Sequence, residues 1–134
     1  MRQVIVFANE YGNVSVVTPT GEIPIEAVLG KDAPPGAIII NESELPQSDA
    51  SFFNAWELID GKVVVNISKA QFITRNRLRF LRAPLIAKQD VAFQMALETG
   101  VGMNAVIEEK QRLRDITKAV ENITDLDELL KLMP

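Results

Sequence analysis

Apolar residues in the first half of the chain come in short β-branched bursts divided by turn residues. Val4–Ala8, Val14–Thr18, Ala37–Ile40, Ala55–Ile59 and Lys62–Ile67 are therefore predicted strands. Asn9–Asn13, with Gly12, joins the first two as a hairpin. Asp60-Gly61 is the dipeptide that a tight type I′ turn favours, because both central positions need positive φ. Pro24–Gly30 reads as one short helix, with proline tolerated in its first turn and glycine at its end. Lys31–Gly36, containing Pro34-Pro35-Gly36, and Leu45–Ser51, around Pro46, read as loops.

The period changes after Ile67. Ser68 and Gln71 fit a capping box that opens a helix running to about Thr99, and Gly100 supplies a left-handed end. Pro84 inside this helix removes a hydrogen bond and predicts a kink or break near Arg82-Ala83. Asn104 is the expected cap of a second helix to about Val120, and Thr124 with Asp127 that of a third, Asp125 to Leu132. Ala70, Ile73, Leu81 and Leu85, continued by Ala92 and Met95, form one apolar stripe. Val106, Leu113, Ile116 and Val120 form another, and both carry the spacing of a coiled-coil seam. Gly100-Val101-Gly102 is short enough to fold the two helices back antiparallel. Either the two stripes satisfy each other and the sheet, or one face of the long helix needs a partner.

The expected fold is α+β: a small antiparallel sheet over residues 1–67, then a kinked helical hairpin and a short C-terminal helix over 68–134. No apolar run reaches the roughly 18 residues of a membrane helix. Met1–Phe7 has a basic residue before an apolar stretch, but meets polar Asn9-Glu10 too soon for a secretory leader, and reads as a first strand of a cytosolic protein.

Histidine and cysteine are both absent from the 134 residues. That removes disulfides, thiol nucleophiles, Cys/His zinc sites and the commonest general base, while carboxylate, lysine and tyrosine chemistry stay open. Net charge is −4, made of −6 in residues 1–67 and +2 in residues 68–134. Six basic residues and no acid lie between Lys69 and Lys88. Among them, Arg75, Arg79 and Arg82 recur at i, i+4 and i+7, away from the apolar stripe. The row fits intramolecular pairing with the acidic half or an external acidic protein surface; nucleic acid is a weaker fit because stacking aromatics are not interleaved.

Gly100–Ala105 spells G-x-G-x-x-A, but a dinucleotide site needs a strand before the glycines, and here a helix precedes them. Phe52, Phe53 and Trp56 cluster beside the predicted hairpin and read as core, with Phe52 the member expected at the surface. Glu108 stands four residues before Arg112 as a helix-stabilising pair, and Asp125, Asp127 and Glu128 suit a first helical turn. No catalytic set, metal set or cofactor motif emerges.

Several stretches resemble small proteins encoded beside tail-fibre genes in bacteriophages and prophages. They are Ser43–Pro46, Phe53–Leu58, Gly61–Asn66, Lys69-Ala70, Arg75–Arg79, Arg82–Leu85 and Glu109–Thr117. The last also resembles the arginine-leucine-arginine-aspartate element of phage tail-assembly chaperones, without the tryptophan or tyrosine those often carry just before it. The resemblance implies a non-enzymatic tail or tail-fibre accessory with no cofactor and no metal. Such a protein is built into the virion or assists assembly in the host cytoplasm as a chaperone. Its partner would be a tail or fibre protein, with self-association through the hairpin a further expectation. Phe52, Arg75, Arg79, Arg82, Arg112 and Arg114 are the protein-interaction candidates. A nucleic-acid-binding accessory and a small carboxylate-dependent enzyme are the alternatives from other classes.

Overall fold

The computed structural model describes residues 2–47 and 49–134 and is α+β. Met1 of the first strand stretch and Ser48 of the expected Leu45–Ser51 loop lie outside the described residues. The chain divides into two compact units, Met1–Ala70 and Gln71–Pro134.

In the first unit, β1 (Gln3–Ala8) is the centre of a three-stranded antiparallel sheet, between β2 (Val14–Val17) and β3 (Ile38–Asn41). Its register sets Val6 opposite Val16 on one side and Val4 opposite Ile40 on the other. β4 (Trp56–Ile59) and β5 (Lys62–Val65) form a separate antiparallel hairpin. Asp60 and Gly61 turn it with φ of 51° and 77°, the backbone that the dipeptide foretold.

Side chains alternate across a strand, so each strand places every second residue in one layer. Val4, Val6, Val14, Ile40, Trp56 and Val63 make the core between the sheet and the hairpin, flanked by Val16, Ile38, Leu45, Leu58 and Val65. Ile5, on the other face of β1, is fully buried. That face is covered by helix α1 (Ile25–Asp32), which contacts β1 and β3 and buries Val28. Gly30 does not end α1, contrary to the sequence expectation. The helix runs two residues further and stops where Ala33, preceding Pro34, is forced into extended backbone with ψ of 146°.

Two tight 3-10 turns lie here: Glu42–Glu44 precedes the expected loop, and Ala50–Ala55 takes over its last two residues. The second overturns the expectation for Phe52. Side chains three apart eclipse in a 3-10 turn, so Phe52 and Ala55 point inward together and are buried. Phe53 is the aromatic left partly exposed, with its ring 4.9 Å from that of Trp56.

Helix α2 (Ile67–Thr99) is 33 residues long and continuous through Pro84. The expected break near Arg82-Ala83 is absent. Ser68 is not its cap: the helix opens at Ile67, with the Asn66 side-chain oxygen accepting from the Lys69 amide at 3.1 Å. Gln71, the other half of the expected capping box, instead donates to the Ile123 carbonyl at 2.9 Å.

The second unit takes all of α2 beyond Ala70 and reverses at Gly100 and Gly102, with φ of 74° and 84°. Gly102, not Asn104, precedes α3 (Met103–Asp115). Contacts between α2 and α3 run in opposite senses along the chain, Arg82 meeting residues 113–117 and Asp90 meeting Lys110. This is the helical hairpin that the two glycines predicted. α3 ends five residues short of Val120. Beyond it, Lys118 bonds the Asp115 carbonyl and Glu121 that of Lys118, a tighter three-residue repeat that leads into a 3-10 turn at Ala119–Asn122. α4 (Leu126–Lys131) closes the chain, capped by Asp125 rather than Thr124.

Candidate functional site

The arginine row does not act as a row. Arg82 is half-buried, and its Nη1 donates to the carbonyls of Leu113 at 3.2 Å and Arg114 at 2.9 Å, and lies 3.4 Å from the Thr117 hydroxyl. Those two carbonyls would serve residues 117 and 118 if α3 continued, so the guanidinium stands in for the missing turn. Arg75 is half-buried, and its Nε is out of solvent with no hydrogen-bond partner. Arg79 is exposed and reaches only Asn76, at 3.3 Å. Of the three, Arg79 alone has the open position expected of a partner-facing cation.

Arg77, which fell between the row's positions, carries a comparable role. Its Nη2 donates to the carbonyls of Leu129 and Leu132, both at 2.9 Å, at the end of α4. Cations are favoured there by the negative end of the helix dipole. The signal in the sequence was an arginine off the expected exposed face. What it would hold depended on a chain reversal about 50 residues away.

Arg112 and Arg114 are exposed. Arg112 pairs with Glu109 at i, i+3, its Nε 3.0 Å from the carboxylate, and not with Glu108 as its spacing had suggested. This pairing holds the Glu109 carboxyl below its ordinary range, through the Arg112 hydrogen bonds first. Arg114 reaches Gln111 at 3.5 Å. Lys110 is better fixed: it bonds Asp90 at 2.6 Å while its ammonium sits 5.3 Å from the Phe93 ring centre.

In the first unit, a polar knot joins β4, the start of α2 and the β1-β2 turn. Glu57 accepts from Lys69 at 3.0 Å and from the Asn66 side-chain amide at 2.9 Å. The Lys69 ammonium also lies 3.5 Å from the Gly12 carbonyl. These bonds, Lys69 first and Asn66 next, hold the Glu57 carboxyl below its usual range.

A cleft of about 500 Å³ opens beside β5, with Ile40 and Val63 at its base and Glu44, Asp60 and Lys62 exposed around it. It gathers two carboxylates and an amine, but no histidine or cysteine, which the chain lacks. Among the described residues, no group of three or more acidic side chains is placed to hold a metal ion. Also among the described residues, no helix is long and apolar enough to cross a membrane. The glycines of Gly100–Ala105 turn one helix into the next, so the dinucleotide-like spelling has no strand behind it.

The surface feature that sequence reasoning missed lies along α2. The buried residues of this helix are Ala70, a member of the expected stripe, with Thr74, Leu78 and Ala96, and Leu81 is half-buried beside them. Two members of the expected stripe, Leu85 and Met95, are exposed instead. Leu78 was overlooked because the seam passes through a threonine, Thr74, which interrupts the apolar pattern. About a quarter-turn round the helix, a second apolar line, Phe80, Pro84, Ala87, Val91 and Met95, stands in solvent. Phe80 is 80% exposed, and Val91 and Met95 are 60% exposed. No protein-family model matches the chain, nor does any curated protein or solved structure.

Proposed function

We propose that the chain is a non-enzymatic bacteriophage tail or tail-fibre-associated protein that works by contact with other polypeptides. The observation that carries the contact role is the exposed apolar line on α2. Single exposed apolar residues are ordinary, but Phe80, Val91 and Met95 fall on one side of one helix and are each more than half exposed. A helix that keeps an apolar line in solvent beside the face its own core uses has apolar surface to spare.

The tail setting rests on the resemblance of Ser43–Thr117 to proteins encoded beside tail-fibre genes. Two of its stretches, Arg82–Leu85 and Glu109–Thr117, lie against each other through the Arg82 guanidinium. That gives the arginine-leucine-arginine-aspartate element a structural use inside the hairpin and leaves the α2 line for the partner.

Mass spectrometry of washed particles, together with deletion of the gene, tests the reading. A virion component appears at a ratio fixed by tail symmetry. An assembly chaperone is absent from particles, yet its deletion leaves fibres insoluble or unattached. Normal particles with normal adsorption after deletion would refute both roles.

A further inference from the structure

We infer that the exposed line on α2 receives an amphipathic helix of a partner protein, apolar along one face and acidic along its flanks. This deepens the contact reading of the protein and rests on it.

The geometry sets the shape of the occupant. From Phe80, the apolar positions advance by four, three, four and four residues to Met95. These are the steps that keep side chains on one side of a helix, and they are the steps a second helix matches. Fifteen residues cover about 22 Å of axis, so an occupant of four or five turns spans the line. Pro84 adds a polar feature within it: having no N–H, proline withholds the hydrogen bond that the Phe80 carbonyl would accept in a regular helix.

Charge then selects among occupants. On the helical wheel, Lys88 borders the line on one side, and Arg79 lies about a quarter-turn from Phe80 on the other. Both are exposed, and neither has an acidic partner among the described residues. No acid lies in the sequence from Lys69 to Gln89, and Asp90 is already held by Lys110. Glutamate or aspartate on the flanks of an incoming helix would meet both cations, which gives register as well as attraction.

A second copy of the chain fits less well. Antiparallel pairing that sets Phe80 against Met95 brings Lys88 beside the other Lys88, where like charges repel. An anionic membrane surface also fits less well. The apolar band is narrow, with alanine and proline as two of its five members.

The test uses the full chain and three fluorescent 18-residue peptides: a leucine stripe flanked by glutamate, the same stripe flanked by lysine, and a scrambled version of the first. The glutamate-flanked peptide should bind at least tenfold more tightly than the other two, and more weakly as salt rises. Phe80→Ser with Val91→Ser should weaken that binding at least tenfold, with the circular dichroism of the folded chain unchanged. Arg79→Glu with Lys88→Glu should shift preference to the lysine-flanked peptide. Equal binding of all three peptides, no binding at all, or binding insensitive to Phe80 and Val91 would overturn the assignment. So would a low-salt dimer through this line that the acidic peptide fails to displace. Capture by phosphatidylserine vesicles in preference to the peptide, lost on changing Phe80 and Val91, would overturn it in favour of lipid. If the peptide arm fails while the protein is found in washed particles, the acidic-helix assignment alone falls. If the peptide arm succeeds while deletion of the gene leaves particles normal, the tail reading alone falls.

Discussion

Arg77 and Arg82 are five residues apart on α2, and each turns its guanidinium onto the last carbonyls of another helix. A charged donor on a helix C-terminus gains from the hydrogen bonds and from the dipole together. Arg82→Ala is therefore expected to lower stability by about 1–3 kcal/mol in urea denaturation. Arg79→Ala, which gives up only a contact to Asn76 at the surface, should stay within about 0.5 kcal/mol. Equal losses at the two positions would contradict these assignments. Glu57 gives a pH signature of a different kind. Its carboxyl is held below the ordinary glutamate value by Lys69 and Asn66, so the stability it contributes is complete above that value, about 4.3, and is lost as pH falls through the lower folded value. Thermal melts of the native chain and Glu57→Gln should therefore differ at pH 7 and converge at pH values below the folded one. A gap that persists under those acid conditions would mean the carboxylate charge is not what matters. At this scale the sequence displayed the cations but not their acceptors. The carbonyls that Arg77 and Arg82 meet are exposed by helix ends 31 to 55 residues away.

At the level of elements, features set by adjacent residues were the most legible. Asp60-Gly61 required its turn, and Gly100 and Gly102 required a reversal between helices, because few other residues accept positive φ. Boundaries decided by competition were less so. Asn66 and Ser68 are both good caps, and Asn66 prevails while also donating to Glu57, a link that joins α2 to β4. α3 ends early where Arg82, from a distant part of the chain, takes up its last carbonyls. Pro84 is the clearest conflict between local preference and observed structure, since α2 continues through it. An interior proline costs an isolated helix about 3 kcal/mol relative to alanine. Pro84→Ala is expected to raise stability in thermal or chemical denaturation, by about 1–3 kcal/mol once packing relaxes. A neutral or destabilising result would show that the proline ring itself packs or shapes the hairpin.

For the whole molecule, the apolar fraction of 47% announced a core, but not that α2 would carry an exposed apolar line beside its buried one. Periodicity alone favours one stripe per helix. Here the real seam was broken by Thr74, so its phase was drawn between the buried line and the exposed one. The consequence for association depends on ionic strength. Phe80, Val91 and Met95 favour pairing of any two copies, whereas Lys88 opposes the antiparallel arrangement that aligns them. The opposition is electrostatic between exposed groups, so it is screened as the Debye length falls from about 10 Å at 0.1 M salt to about 3 Å at 1 M. The apolar attraction is not screened, and strongly hydrated salts such as sulfate strengthen it. In sedimentation equilibrium the chain should therefore behave as a 14.8 kDa monomer at low salt and shift toward dimer as sodium sulfate is added. Lys88→Glu would restore like-charge repulsion at the same position and should follow the same salt dependence. Lys88→Gln should dimerise at lower salt, and Phe80→Ser should remain monomeric throughout. A dimer already complete at low salt, unaffected by Lys88→Gln, would show that the charges beside the line do not govern what it binds.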